Sequence, residues 1–290
     1  MADSITVTAP AKINIGLRVL PKRSDGYHSI ESIFTTVPLY DTLTVSLDAP
    51  AETCIVECEG MNLPQENTFT TAYKAFCVLT GMKYGVRVHV TKRIPSGGGL
   101  GGGSSDASSF IQSIDRLFNT RLASDDLHKI AGLVGSDVFF FTQALIEGNE
   151  QPFAAVVEGR GELITPIETR NDYSVVLIFP KVSVSTKDAY SWVDSYTGKR
   201  SSPIDLKKEF LKPIKDWQFS NDFTTPVSER FNEIESAIAA LKYCGADFAD
   251  MSGSGSTVFG IFAKKKGEEV SSLARTSCET LAKNWRVVLA

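Results

Sequence analysis

Much of what would mark a specialised class of protein is scarce or missing in these 290 residues. There are five cysteines, Cys54, Cys58, Cys77, Cys244 and Cys278. An odd, scattered set argues for reduced thiols rather than a disulfide framework. Cys54 and Cys58 lie close together, but no second pair completes a zinc site. No apolar run approaches the ~20 residues of a membrane span. The opening Met1-Ala2-Asp3-Ser4-Ile5-Thr6-Val7 lacks a basic region, an apolar stretch and arginine-rich transit character. The expectation is a cytoplasmic protein with no membrane partner. Charge of one sign is also scarce: 30 Lys and Arg against 34 Asp and Glu leave a net charge of −4. A general nucleic-acid binder would show a basic face, so none is expected as partner. One small basic pocket for an anionic ligand remains compatible with that balance. Hydrophobic content of 42% suits a globular protein with a real core. The length fits one large or two ordinary domains.

Glycine, by contrast, is concentrated in one place. The segment Pro95-Ser96-Gly97-Gly98-Gly99-Leu100-Gly101-Gly102-Gly103-Ser104-Ser105-Asp106 holds six glycines in seven positions. Glycine lets backbone approach a ligand without a Cβ in the way. Successive N–H groups can then turn inward around a phosphate chain. Upstream, Val86, Val88 and Val90 alternate with Arg87, His89 and Thr91, the period of a half-buried strand. Downstream, Ala107, Phe110, Ile111, Ile114, Leu117 and Phe118 recur at helical spacing, with Ser104, Ser105 and Asp106 as cap candidates. A loop from strand end to helix N-terminus favours an anion. It lacks the closing Gly-Lys-Ser/Thr of a Walker A motif. It satisfies Gly-x-Gly-x-x-Gly at Gly97, Gly99 and Gly102. The acidic strand end that a dinucleotide fold needs does not follow; Ser124-Asp125-Asp126-Leu127 opens another helix instead. A flexible linker would suit the composition but not the strand and amphipathic helix on either side.

Along the rest of the chain the spacing predicts a strand from Ser4 to Ala9, ended by Pro10, and strands around Leu43–Leu47 and Ile55–Val56. A helix is expected over Thr68 to Thr80. An apolar run follows Ser136-Asp137, and Pro166 to Asp172 reads as a connector. A buried strand from Ser174 to Phe179, a helix carrying Ile234, Ile238 and Leu241, a strand from Thr257 to Phe262, a further helix and a strand ending at Leu289 complete the pattern. Strands and helices without strict alternation indicate α+β. The expected division is 1–165 and 166–290.

Three features accompany the glycine loop. Lys12 follows the first strand in Pro10-Ala11-Lys12-Ile13-Asn14. Asp137 precedes the apolar run, and Met251-Ser252-Gly253-Ser254-Gly255-Ser256 is a second glycine-serine loop. Each has a plain alternative: a solvated lysine, a turn or cap aspartate, a hairpin turn. As a set they suit phosphoryl transfer, which needs donors for the polyphosphate, a cation for developing charge and a base for the acceptor hydroxyl.

These segments resemble the three motifs of the GHMP small-molecule kinases. Within that family Asp25-Gly26-Tyr27-His28, Phe34 and Phe219-Ser220-Asn221-Asp222 are most similar to members whose alcohol acceptor carries a cytidine diphosphate. The resemblance covers roughly residues 8 to 262. It implies a two-domain α+β fold, an ATP-binding N-terminal domain and a ferredoxin-like C-terminal one, with the active site in the interdomain cleft. The implied reaction moves the γ-phosphate of ATP to the 2-hydroxyl of a cytidine-diphosphate methylerythritol, in non-mevalonate isoprenoid synthesis. By position, Asp137 is implied as base and Lys12 as the cation that stabilises the alkoxide. Asn14 and Thr186 would touch the acceptor. Tyr27 and His28 would meet the cytosine, with Tyr190 closing an aromatic sandwich. Pro95 to Ser105 would hold the triphosphate and Asn67 would meet adenine. Mg²⁺ is expected with ATP, with Ser105 the one ligand suggested. One departure stands out: where members carry proline two residues after the aspartate, this chain has Phe139. Two other readings compete: a homoserine- or mevalonate-type kinase, against which the Tyr27-His28 pair argues, and a catalytically silent nucleotide binder on the same fold.

Overall fold

Apolar side chains recur at every second residue from Ala9 to Val19, and that period outweighs the proline within it. In the computed structural model, which describes residues 4–148 and 152–290, the first strand runs through Pro10 as β1, Ser4–Lys22. Ala9, Ala11, Ile13, Ile15, Leu17 and Val19 are all buried. A second long strand, β2 (His28–Ser46), pairs with it. The chain divides into two compact units, and both strands contribute residues to each.

The first unit comprises the described residues of Met1–Ala11, Pro38–Ser96 and Gly101–Gln151. After β3 (Cys54–Cys58), α1 (Thr68–Thr80) leads to β4 (Val86–Thr91), which lies parallel to β3. β4 is also antiparallel to β2, with Thr42 opposite Thr91 and Val45 opposite Val88. The helices α2 (Gly102–Phe118), α3 (Ser124–Val134) and α4 (Ser136–Glu147) follow. Val86, Val88 and Val90 on the strand, Phe69 and Phe76 on α1, and Phe110, Ile111 and Ile114 on α2 form the core, joined by Leu127 and Ile130 of α3. The α2 helix begins earlier than its serines suggest. Gly101, at φ +70°, is the N-cap and makes no side-chain cap bond, so Ser104, Ser105 and Asp106 lie inside the helix.

The second unit comprises Lys12–Val37, Gly97–Leu100 and the described residues of Pro152–Ala290. β5 (Ala154–Gly159) pairs antiparallel with the first half of β2, and β6 (Leu163–Ile167) extends this sheet as an edge. Pro166, read from sequence as the start of a connector, therefore lies in a strand, and an edge tolerates its missing N–H. After β7 (Tyr173–Phe179) come α5 (Thr186–Ser195), α6 (Leu206–Phe210), α7 (Thr224–Ser228) and α8 (Asn232–Tyr243). Then follow β8 (Phe248–Met251), β9 (Val258–Ala263), α9 (Ser272–Leu281) and β10 (Arg286–Leu289). The four strands form an antiparallel sheet in the order β10-β7-β9-β8. With α8 and α9 this is a split βαβ arrangement, interrupted by α5 to α7. The fold is α+β. Among the described residues no helix is long and apolar enough to cross a membrane.

Candidate active site

Three sequence motifs meet within the second unit. Lys12 and Asn14 sit on the same side of β1 because side chains two apart in a strand share a face. Both are buried. The Lys12 ammonium donates to Asn14 Oδ1 at 2.5 Å and lies 4.6 Å from the centre of the Phe34 ring. The Lys12 N–H donates to the Leu100 carbonyl at 3.0 Å, fixing the tip of the glycine loop beside it. Ser252 Oγ donates to the Gly99 carbonyl at 2.9 Å and accepts from the Asn14 N–H at 3.3 Å. The Thr257 N–H reaches the Gly98 carbonyl at 3.2 Å. Contact between the two loops demands glycine: a Cβ on Gly99 would fall 2.0 Å from the Ser252 carbonyl oxygen, and its φ is +76°. Asn221 supports the second loop from beneath, its Nδ2 donating to the Met251 and Gly253 carbonyls at 2.8 Å each. Its neighbour Asp222 accepts from the Val19 N–H and from the Ser201 N–H and hydroxyl, each at 2.8 Å.

Another group of residues in this unit surrounds His28. Its Nδ1 bonds the Leu20 carbonyl at 2.8 Å, so that nitrogen carries the hydrogen. Its Nε2 lies 3.3 Å from Asp194 Oδ1. Tyr190 stacks directly on the imidazole, with ring centres 5.2 Å apart and planes 21° from parallel. That spacing leaves no room for a third ring between this pair. Phe223 meets Tyr190 edge-on at 4.9 Å. Tyr27 is 54% exposed, and the Arg160 guanidinium lies 4.0 Å from its ring centre. Thr186 opens α5 and shares a hydrogen bond of 3.1 Å with Ser254 of the glycine-serine loop.

The remaining candidates lie in the first unit. Asn67 is the N-cap of α1: Oδ1 accepts from the Phe69 and Thr70 N–H groups, and Nδ2 donates to the Pro64 carbonyl. Asp137 is in the first turn of α4, half-buried, where the helix dipole favours a carboxylate. The proline that resembling proteins carry two residues later is not needed for the turn. α4 is regular through Phe139, whose ring stacks on His128 at 6.1 Å. At the start of α2, Gly103 has ordinary helical backbone, and a Cβ added there would meet nothing within 4 Å. The Ser105 hydroxyl is buried without a hydrogen-bond partner among the described residues. Among those residues, no three His, Cys, Asp or Glu side chains are grouped to hold a metal ion, and all five thiols are free.

Sequence reasoning passed over Asp41, Lys92, Asp194 and Arg160. Lys92 Nζ pairs with both Asp41 and Asp106, the latter at 2.7 Å. Burial pushes the Asp106 carboxyl up to about 7 even though Lys92 pulls it down. The available signal was weak: Asp41 is one of two carboxylates on β2, and it is fully buried while its neighbour Tyr40 is exposed. A buried charge needs a partner.

Residues 67–144 match the family described as GHMP kinases N terminal domain, and residues 205–279 match GHMP kinases C terminal. A 4-diphosphocytidyl-2-C-methyl-D-erythritol kinase of Treponema pallidum is 38% identical, over 98% of this chain and 96% of its own. The enzyme of that name from Prosthecochloris aestuarii is 37% identical, over 94% and 96%. A crystal structure of 4-(cytidine 5'-diphospho)-2C-methyl-D-erythritol kinase superposes with a TM-score of 0.77 at 28% identity, covering 98% of each chain. A homoserine kinase from Cytophaga hutchinsonii, with a TM-score of 0.65 and 16% identity, shares the fold alone. Two matched family domains and two relatives similar over nearly their whole length leave one assignment: this chain is a phosphotransferase of the GHMP kinases, within the 4-diphosphocytidyl-2-C-methyl-D-erythritol kinase family.

Proposed function

We propose that this chain transfers the γ-phosphate of ATP to the 2-hydroxyl of 4-diphosphocytidyl-2-C-methyl-D-erythritol, with Asp137 as general base and Lys12 as the cation for the developing alkoxide. The observation that carries the reading is the buried Lys12 ammonium, 2.5 Å from Asn14 Oδ1, at the meeting of β1 with the two glycine loops. A tertiary alcohol is a poor acid, so a positioned carboxylate and a cation both help to form the nucleophile. Asn14 orients the ammonium and contacts the methylerythritol, as does Thr186. The triphosphate lies along Pro95 to Ser105, where the missing Cβ of Gly103 leaves space beside the N-terminus of α2. ATP brings Mg²⁺ with it, which takes hard oxygen donors and keeps part of its water shell. The unpartnered Ser105 hydroxyl is a donor of that kind, and the ion would neutralise charge between the β- and γ-phosphates.

For the cytidyl group, Tyr27 offers an exposed aromatic face and His28 a hydrogen-bonding edge. His28 is fixed by Leu20 at Nδ1 and by Asp194 at Nε2, and the Asp194 carboxylate beside it is an acceptor that matches the amine of cytosine and not the carbonyl of uracil. Tyr190, stacked on the imidazole, would close the aromatic sandwich around the base. Asn67, occupied as a helix cap, would meet adenine by placing the start of α1. The nucleotide functions fall within 1–165, and 166–290 form the other domain of a cytoplasmic enzyme acting on a small molecule.

Turnover of ATP, followed by ADP release across a panel of acceptors, tests the assignment. The cytidyl substrate should far outpace its uridyl analogue, homoserine and mevalonate. Equal turnover of an acceptor without a nucleobase would leave only the broader family. Asp137→Ala should cut turnover at least ~10²-fold while ATP still binds. Turnover near that of the unaltered chain would remove Asp137 from the base role.

A further inference from the structure

The two ends of the glycine loop are tied together by a buried ion cluster centred on Lys92, which lies outside the recognised motifs. Lys92 is the first residue after β4, and Asp106 is the fifth residue of α2. The Lys92 ammonium donates to Asp106 Oδ2 at 2.7 Å and to Asp41 Oδ2 at still closer range. Asp41, on β2, has a fully buried side chain. Its other oxygen accepts from the Arg93 N–H at 2.5 Å and the Ile94 N–H at 2.9 Å. One carboxylate therefore holds both the backbone that enters the loop and the ammonium that grips the helix leaving it. The ends are also in contact sterically: a Cβ on Gly102 would come 2.9 Å from Ile94 Cγ2 and 3.3 Å from Lys92 Nζ.

A run rich in glycine has more backbone freedom to lose than any other sequence. Its direction depends on how its ends are held. We infer that Asp41, Lys92 and Asp106 are positioning residues for the nucleotide, acting as a clamp that sets the distance and angle between the strand and the helix on either side of the loop. Without the ammonium, two buried carboxylates face one another and the start of α2 is released. The backbone donors that α2 presents then lose their alignment. Charge pairing is the means because Asp41 and Asp106 are both almost wholly withdrawn from solvent, where an unpaired charge is strongly disfavoured.

This inference rests on the reading of the glycine loop as the ATP site. The test is steady-state kinetics on the full chain, with ATP and 4-diphosphocytidyl-2-C-methyl-D-erythritol varied separately and thermal melting alongside. Asp41→Asn is the informative variant, because Asp41 is sealed inside and acts only through Lys92 and the backbone. It should raise KM for ATP about tenfold or more, the order expected from a small misplacement, and leave KM for the acceptor within about twofold. Lys92→Met should show the same split, and Lys92→Arg, which keeps the charge, should recover most of the loss. If Lys92→Met does not fold, Asp41→Asn and Lys92→Arg still decide the matter. Folded variants with unaltered KM for ATP would overturn the clamp, as would a loss of turnover proportional to the unfolded fraction. An unaltered chain that fails to bind ATP would instead take down the nucleotide reading and the clamp with it.

Discussion

Gly99 and Gly103 belong to one loop, four residues apart, and the structure uses them for opposite reasons. At Gly99 the backbone is left-handed, and the space a Cβ would fill is taken by the Ser252 carbonyl. At Gly103 the backbone is helical and the same space is open. The first glycine serves the protein's own packing, and the second leaves room for something outside it. A glycine-rich run is thus two functional segments. Gly97–Leu100 is pinned by Lys12, Ser252 and Thr257, and Gly101–Ser105 starts a helix in which the Ser104 and Ser105 N–H groups bond back to the Gly101 carbonyl at 3.0 and 2.9 Å.

That contrast can be broken most severely at the pinned end. Gly99→Ala adds a left-handed alanine, costing ~1–2 kcal/mol, and forces two loops apart at a cost of ~1–3 kcal/mol. Together these should lower the melting temperature by roughly 10 °C in a chain of this length. A melting temperature within a degree of the unaltered chain would mean that the two loops are not packed as described. At the open end, Gly103→Val should do the reverse. A helical position gains from losing glycine, so the melting temperature should hold or rise slightly. KM for ATP should climb by about tenfold or more as the side chain fills the cradle, a change of ~1.4 kcal/mol. Unchanged ATP affinity in that variant would show that the gap holds no phosphate.

A smaller effect sharpens the comparison from below the pinned tip. Asp250, on β8, leads into the Ser252 loop, and its Oδ1 accepts from the Thr224 hydroxyl at 2.5 Å and from the Met251 N–H at 2.8 Å. Burial pushes this carboxyl up to about 6, against the pull of those bonds. The folded chain therefore keeps a proton that the unfolded chain releases above about pH 4, and stability falls as pH rises from there to about 6. Asp250→Asn preserves the acceptor and removes the charge. Its melting temperature should exceed that of the unaltered chain by several degrees at pH 7.5 and match it at pH 4, consistent with the ~3 kcal/mol that a shift of about two pH units carries. An equal difference at both values would place the cause in packing rather than in protonation.

Some of this was legible beforehand for a physical reason. Period-two valines before the glycines and helical apolar spacing after them are local patterns, and the strand and helix follow them closely. Lys12, Asn14 and the Gly253 loop were recognisable as motifs, and within one unit they do come together. Elsewhere local rules lost to tertiary ones. Pro10 and Pro166 looked like boundaries, but each lies in a strand. Ser104 to Asp106 looked like caps, but a left-handed glycine starts the helix before them. The stacking of Tyr190 on His28, distant in the chain, likewise has no local pattern behind it.

What the sequence determined by itself is therefore the kind of chemistry. A glycine run between strand and helix, a lysine after the first strand and a second small-residue loop each have a plain alternative, but as a set they suit the handling of a polyphosphate. The tertiary structure decided which glycines are packed and which are open, which polar atoms are already satisfied, and that Lys92 joins Asp41 to Asp106. Residues 51 positions apart have no shared local pattern, so only folding brings them into contact. Once there, the low dielectric of the interior makes their pairing obligatory.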